Sequence, residues 1–253
     1  MTFYFLEHRP WDTDFFKKKM AKLSLTNVNG QNCFASVREA VSLAKKNDYE
    51  HIMIRLLSSE TKSIVELEDA SFRCYGALVV FQKKDISDRQ QLQYNLNWDD
   101  FLQEGDFDSL EKWIQGLFVH SYMYKDPFFP REKVEQLYEV WLKNLLNASE
   151  SVILVTRSEG AISGFVTVRP DTDCFEIDLF GVHPQYQRGG LSQKLLALAS
   201  QYLLWKGVNL PLRVKTQGEN IGAINAYIRS GFQIQEHHLT LCHNLSLIQE
   251  GQS

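Results

Sequence analysis

The sequence is poor in cysteine, carries no strong excess of either charge and contains no long apolar run. Its four cysteines, Cys33, Cys74, Cys174 and Cys242, lie far apart in apolar or strand-like surroundings, and none forms a C-x-x-C pair. They therefore read as reduced, buried thiols. Lys plus Arg total 27 against 31 for Asp plus Glu, and the basic run Lys17–Lys19 stands alone, which argues against a nucleic-acid partner. The longest apolar runs, such as 77–81 and 195–199, fall far short of the ~18–20 residues needed to cross a bilayer. The N-terminus lacks the basic region, apolar stretch and small-residue cleavage site of a secretory signal, so a cytoplasmic protein without a membrane span is expected. Without such a signal, the sequons at Asn147 and Asn244 carry no weight. No short-period repeat and no low-complexity tract is present.

What the chain does have is material for a core. Of its 253 residues, 44 % are hydrophobic and 12 % aromatic, enough for one large domain or two small ones that fold unaided. Val37, Ala40, Val41 and Ala44 recur at helical spacing within 35–46, and 51–57 reads as a strand. A short helix at 64–69 and a Val-rich and aromatic strand at 75–81 complete a small α/β unit. The polar stretch 83–91 has neither period, which puts a domain boundary near residue 90 and domains at 1–90 and 91–253.

Beyond it, Phe107, Leu110, Trp113, Ile114 and Leu117 form one amphipathic stripe; Val134, Leu137, Tyr138, Trp141, Leu142 and Leu145 form another. The period then changes. A strand, turn and strand over 152–168 make a hairpin, followed by a strand at 175–182, a long helix at 190–205, a strand at 210–216, a helix at 221–230 and one or two closing strands in 232–247. The pattern is α/β (α+β) with a central mixed sheet.

The most informative segment is Phe180-Gly181-Val182-His183-Pro184-Gln185-Tyr186-Gln187-Arg188-Gly189-Gly190-Leu191-Ser192. A strand ends, a proline forces a turn, and a glycine pair opens a long helix. Glycines let successive amides point into one concavity backed by the positive end of the helix, which suits a pyrophosphate. A plain strand-to-helix turn would use the same residues, and neither the nucleoside-triphosphatase nor the dinucleotide glycine pattern is present.

The segment is similar to the acetyl-CoA loop of the GNAT acetyltransferase superfamily: Gln187, Gly190 and Ser192, after Val182 and Pro184, follow its pattern, with Ser192 in place of the usual Gly or Ala. About thirty residues on, Asn220, Ala223, Tyr227, Gly231 and Phe232 match the superfamily's second motif. The resemblance implies a GNAT fold and acetyl-CoA as co-substrate. It implies that the backbone of Phe180, Gly181 and Val182 pairs with the pantetheine arm, that Gln187, Arg188, Gly189, Gly190, Leu191 and Ser192 cradle the pyrophosphate, and that Asn220 and Ala223 belong to the same site. By the same resemblance Tyr227 is the general acid for the departing thiolate, suited to that role because a phenol titrating near ~10 is protonated at neutral pH. Glu176 stands where several members keep a general base; a hydrogen-bonded strand carboxylate is the alternative. His237, His238, Cys242 and His243 do not fit zinc spacings, so no metal is expected.

Three further stretches, 11–16, 67–72 and 118–141, resemble the dTDP-fucosamine N-acetyltransferase family. This implies an incomplete GNAT-like N-terminal domain ahead of the catalytic one, a homodimer, and an acceptor amine on a nucleotide-linked amino-dideoxy sugar for surface polysaccharide. Ser121, Tyr122 and Asp126 fall in that family's Ser-Arg-Phe-x-x-Asp-Pro region and become candidate acceptor contacts, with Tyr122 where arginine is common. Other small-molecule amines, a peptide, a polyamine or an antibiotic, and a CoA-binding module without turnover, remain alternative readings.

Overall fold

The computed structural model describes residues 4–26, 34–87 and 94–246. In chain order its elements are β1 (Tyr4–His8), α1 (Pro10–Phe16), β2 (Met20–Leu25), α2 (Phe34–Lys46), β3 (His51–Leu57), α3 (Thr61–Asp69), β4 (Arg73–Lys83), α4 (Asp106–Ile114), α5 (Arg131–Asn147), β5 (Val152–Ser158), β6 (Ala161–Pro170), β7 (Phe175–Ile177), β8 (Phe180–Val182), α6 (Leu191–Trp205), β9 (Leu212–Gln217), α7 (Ile221–Arg229) and β10 (Gln233–Asn244). Backbone contacts divide the chain into two compact units. The first comprises Met1–Leu78, Ser121–Val134 and His237–Ser253, the second Val79–His120 and Glu135–Glu236. The expectation of two consecutive domains cuts the chain once, whereas these units take alternating stretches of it.

In the first unit β1 pairs antiparallel with β2, β2 parallel with β3, and β3 antiparallel with β10. Side chains alternate across strands, so Ile52, Ile54 and Leu56 of β3 join Leu241 of β10 on one face. There they meet Val37, Ala40 and Ala44 of α2 and Leu67 of α3 in a buried core. Lys45 and Lys46 occupy the last turn of α2, where a positive charge suits the helix dipole. The opposite face is unusual for an interior. The register sets His51 against Asn244, Met53 against Cys242 and Arg55 against Thr240, and the 121–134 segment packs on them, with the Phe128 and Phe129 rings 4.6 and 5.0 Å from His51.

In the second unit β5 and β6 form an antiparallel hairpin that turns through Glu159 and Gly160, both at positive φ. β6 continues antiparallel to β7, and β7 runs parallel to β9, so the sheet is mixed as expected. The amphipathic face of α6 packs on β5 and β6. Leu195, Leu196, Leu198 and Leu203 are fully buried there with Leu154, Val166, Ile177 and Val214. At ~1.5–3 kcal/mol per buried leucine this is the main anchor of the helix.

The structure changes several sequence expectations. β1, α1 and β2 went unread. The strand expected at 175–182 is two short strands, and the helical stripe through Leu117 ends as a helix at Ile114. The supposed linker begins with buried residues: Lys83 is 2 % exposed and Ile86 1 %. The Lys83 ammonium donates to the carbonyl of Ser230 at the end of α7, placing a positive charge at the negative end of the helix dipole. Residues 88–91 of that stretch and Cys33 lie outside the described residues. Cys174 and Cys242 are buried, but Cys74 is exposed.

Candidate active site

The site begins with a fault in the sheet. Val166 of β6 is opposite Phe180, and Arg169 is opposite Glu176; between those pairs, residues 177–179 face only residues 167 and 168. One extra residue on one strand is a β-bulge. Thr167 holds it: its amide donates to the Leu179 carbonyl (2.9 Å) and its Oγ1 accepts from the Leu179 amide (2.8 Å). Thr167 is 1 % exposed, so no water replaces these bonds.

The bulge separates two neighbours. β7 pairs with β9 up to Ile177 and Val214, whereas the strand pairing recorded for β8 is with β6 alone. The Leu179 carbonyl and the His183 amide both bond to β6. By the alternation of an antiparallel ladder, Phe180 and Val182 then turn their backbone groups the other way, toward the gap left by β9. The Val182 carbonyl is taken by Nε2 of Gln187 (3.2 Å). Among the described residues no second strand pairs with Phe180 or Val182.

Gly181 is closely packed by side chains. A Cβ there would lie 2.7 Å from Leu117 Cδ1 and 3.0 Å from Phe165 Cε1. The same wall is built from Trp113 of α4, whose ring meets Phe165 and His183 edge to face at 5.7 and 5.2 Å. The guanidinium of Arg157 on β5 clamps Asp106 at the start of α4 and holds that carboxyl below its ordinary range.

From His183 the chain makes a single 3₁₀ turn over Pro184–Tyr186 and enters α6 through Arg188, at φ 67°, and Gly190, at φ 80°. Only glycine adopts this conformation freely; Arg188 pays ~1 kcal/mol or more for it. Around Gly190 a Cβ would meet nothing within 4 Å, so the loop faces open space. The Gln187 amide bonds to the Pro184 carbonyl at 3.4 Å. Among the described residues no hydrogen bond is recorded for the amides of Arg188, Gly189, Gly190, Leu191 or Ser192. These donors at the N-terminus of a fifteen-residue helix fit a diphosphate.

Asn220 caps α7, its Oδ1 accepting from the Ala223 amide at 3.2 Å, so the two residues act as a cap pair. Tyr227, on the same helix, is 3 % exposed. Its ring centroid lies 5.4 Å from Phe81, 5.8 Å from Phe180 and 5.8 Å from Phe232. The structure thus puts the tyrosine beside the strand with the open edge, and burial pushes its phenol above the ordinary value.

Residues 107–232 match the family model for Acetyltransferase (GNAT) family. The chain carries a GNAT acetyltransferase domain. It is 22 % identical over 233 residues to the spore coat polysaccharide biosynthesis protein SpsD of Bacillus subtilis (strain 168), covering 90 % of this chain and 78 % of that one. Among solved structures, a GCN5-related N-acetyltransferase from Sphaerobacter thermophilus superposes with a TM-score of 0.62 at 13 % identity, covering 96 % of this chain and 76 % of that one. A tandem GNAT protein from the clavulanic acid biosynthesis pathway gives 0.56 at 11 % identity, over 89 % of this chain and 75 % of that one. These likenesses are likenesses of fold.

Within the GNAT domain, the expected base does not have the surroundings of one. Glu176 is 2 % exposed; one oxygen accepts from Arg213 Nε at 2.6 Å and the other lies 3.0 Å from Lys215 Nζ. Both oxygens are held by cations of β9, the surroundings of a hydrogen-bonded strand carboxylate rather than of a free base. Its neighbour Asp178 pairs with Arg169 at 2.5 Å, yet burial outweighs that pairing and raises its carboxyl above the usual range.

The expected acceptor contacts Ser121, Tyr122 and Asp126 lie in the first unit. Tyr122 is 5 % exposed and Asp126 1 %, and the Ser121 hydroxyl caps the turn that follows by accepting from the Met123 amide. Thr167 and the side chain of Gln187 are the residues that sequence reading missed. A signal for Thr167 existed: after Ile177 and Leu179 the apolar phase slips by one at Phe180, as a bulge requires.

No helix among the described residues is long and apolar enough to cross a membrane. Enzymes of the GNAT family use acetyl-CoA and act on amines.

Proposed function

We propose that this chain is an acetyl-CoA-dependent N-acetyltransferase whose acceptor is the amine of a nucleotide-linked amino-dideoxy sugar. The reading is carried by one observation: β8 leaves β9 at the Thr167 bulge with an open backbone edge, and the free amides of 188–192 follow it directly. An extended pantetheine arm pairs with Phe180 and Val182 as an added strand, and its diphosphate is received at the start of α6.

The reaction is direct transfer. The neutral amine attacks the thioester carbonyl, the carbon–sulfur bond breaks, the departing thiolate takes the proton of Tyr227, and the proton shed by the acylated nitrogen passes through water to restore the phenol. Burial of the phenol keeps it protonated across neutral pH. With Glu176 engaged by Arg213 and Lys215, no side chain is assigned as base, and an amine that reaches the site already neutral needs none. The sugar acceptor is supported by the name of the B. subtilis relative, a polysaccharide biosynthesis protein, together with the 11–16, 67–72 and 118–141 resemblance. The homodimer and the incomplete GNAT-like character of the N-terminal part rest on that resemblance alone.

Calorimetry with acetyl-CoA, on the wild type and Gly190→Val, tests the carrier site. A side chain at 190 enters the space in front of the amides, so binding is expected in the wild type and lost in the variant; equal affinity refutes the loop assignment. Mass spectrometry of products from a panel of nucleotide-linked amino sugars, peptides and polyamines tests the acceptor, and acetylation of only the latter two refutes the sugar reading.

A further inference from the structure

The polar face of the first unit holds a group of side chains that acetyl transfer does not use. His51 on β3, Cys242 on β10 and Asp126 on the 121–134 segment have their ligand atoms within 4.8 Å of one another. They are 0, 1 and 1 % exposed respectively. His51 Nε2 lies 3.1 Å from Asp126 Oδ2. The other carboxylate oxygen of Asp126 accepts from Asn244 Nδ2 at 2.7 Å and from the Phe128 amide at 3.1 Å. Alternation explains the convergence: His51, Cys242 and Asn244 occupy adjoining positions on one sheet face, and Asp126 is laid over them.

Hydrogen bonding within the group leaves it incomplete. Among the described residues His51 Nδ1 and Asn244 Oδ1 are buried without a partner, and a partly satisfied buried network is costly. We propose that His51, Asp126 and Cys242 form a binding site for a zinc-class transition-metal ion, which ties the 121–134 segment to β3 and β10. Imidazole, carboxylate and thiolate are the donors such an ion takes, at about 2.0–2.3 Å, which sets tetrahedral donors roughly 3.3–3.6 Å apart. The 3.1 Å His51–Asp126 separation is close to that spacing.

A second cluster, Asp171, Cys174 and Glu176, is equally tight, but a cation already occupies it. Arg213 bonds both carboxylates, and Lys215 adds another charge on Glu176. Among the described residues no arginine or lysine is paired with Asp126, and Arg55 on the same face spends its Nε on Thr240. Local histidine spacing does not bear on this cluster, because its donors come from three distant stretches.

The test is refolding of the full chain with cobalt(II) as spectroscopic probe, since a site this buried fills most readily during folding. A thiolate-to-cobalt charge-transfer absorption is expected, saturating near about one equivalent and displaced by zinc, as for thiolate sites in general. It should persist in Cys174→Ala and Cys74→Ala and vanish in Cys242→Ala. Metal analysis of the wild-type chain refolded with zinc should give about one ion per chain. Absence of the band and of bound zinc in the wild type overturns the proposal without reliance on any variant, and a band lost in Cys174→Ala instead assigns the metal to the other cluster and overturns it equally.

Discussion

Thr167→Val keeps the shape of the side chain and removes only its hydroxyl, so it isolates what holds the bulge open. In the folded protein that hydroxyl accepts from the Leu179 amide at 2.8 Å and lies 3.2 Å from the Leu179 carbonyl. The carbonyl retains the Thr167 amide as donor; the Leu179 amide is left without its partner. Leu179 is 2 % exposed, so the orphaned donor costs about 1–3 kcal/mol. For a chain of this size that corresponds to a Tm lowered by about 2–12 °C. The bulge also keeps β8 away from β9, so weakening it should raise the Kd for acetyl-CoA, about tenfold for each 1.4 kcal/mol that binding has to restore. Thermal unfolding and calorimetry on Thr167→Val and Thr167→Ser measure both effects. The serine variant keeps the hydroxyl and should hold the wild-type affinity. A valine variant that matches the wild type in both Tm and Kd would show that the hydroxyl does not support the open edge, and the argument for the carrier site would lose its foundation.

Three other outcomes are expected. Tyr227→Phe should bind acetyl-CoA as the wild type does while kcat falls by about 10²–10⁴. Because burial raises the phenol above its ordinary value, wild-type kcat should show no loss attributable to this acid on going from pH 7 to pH 9; undiminished turnover in the phenylalanine variant removes it from the mechanism. Glu176→Gln takes away the charge facing Arg213 and Lys215 and should cost about 1–3 kcal/mol in urea unfolding, with turnover per folded molecule within about threefold of the wild type. A drop of a hundredfold or more at unaltered stability would reinstate Glu176 as base. Asn220→Ala deletes the α7 cap and should cost about 1 kcal/mol, largely restored by Asp or Ser; failure of both to restore stability would mean that Asn220 acts other than as a cap.

How far the sequence was readable depended on the range of the signal. Local patterns were clear: the 35–46 and 190–205 helices, the 152–168 hairpin and the glycine loop each carry their own period or turn chemistry within a few residues. The N-terminal β1, α1 and β2 were missed because Tyr4–His8 and Met20–Leu25 are short, and their partial burial leaves a weak alternation. Lys83 was taken for a linker residue because composition alone cannot tell that an ammonium will be buried against a helix end. Ser121, Tyr122 and Asp126 were candidate ligand contacts through a family resemblance in a short local segment, which carries no sign that the partners of Asp126 are His51 and Asn244, far off in the chain.

The sequence by itself determined the kind of fold and, through the resemblance of two short motifs to the GNAT family, named a candidate carrier loop and a candidate acid, because a glycine pair, a helix start and a motif spacing are encoded by neighbours in the chain. Only the tertiary structure decided which side chains are free to act. Pairing of β6 with two successive strands created the bulge and the open edge, the cations of β9 closed around Glu176, and the register of β3 with β10 gathered His51 and Cys242 under Asp126. Each of these is a contact between residues far apart in sequence, set by which strands lie side by side and which faces they turn inward.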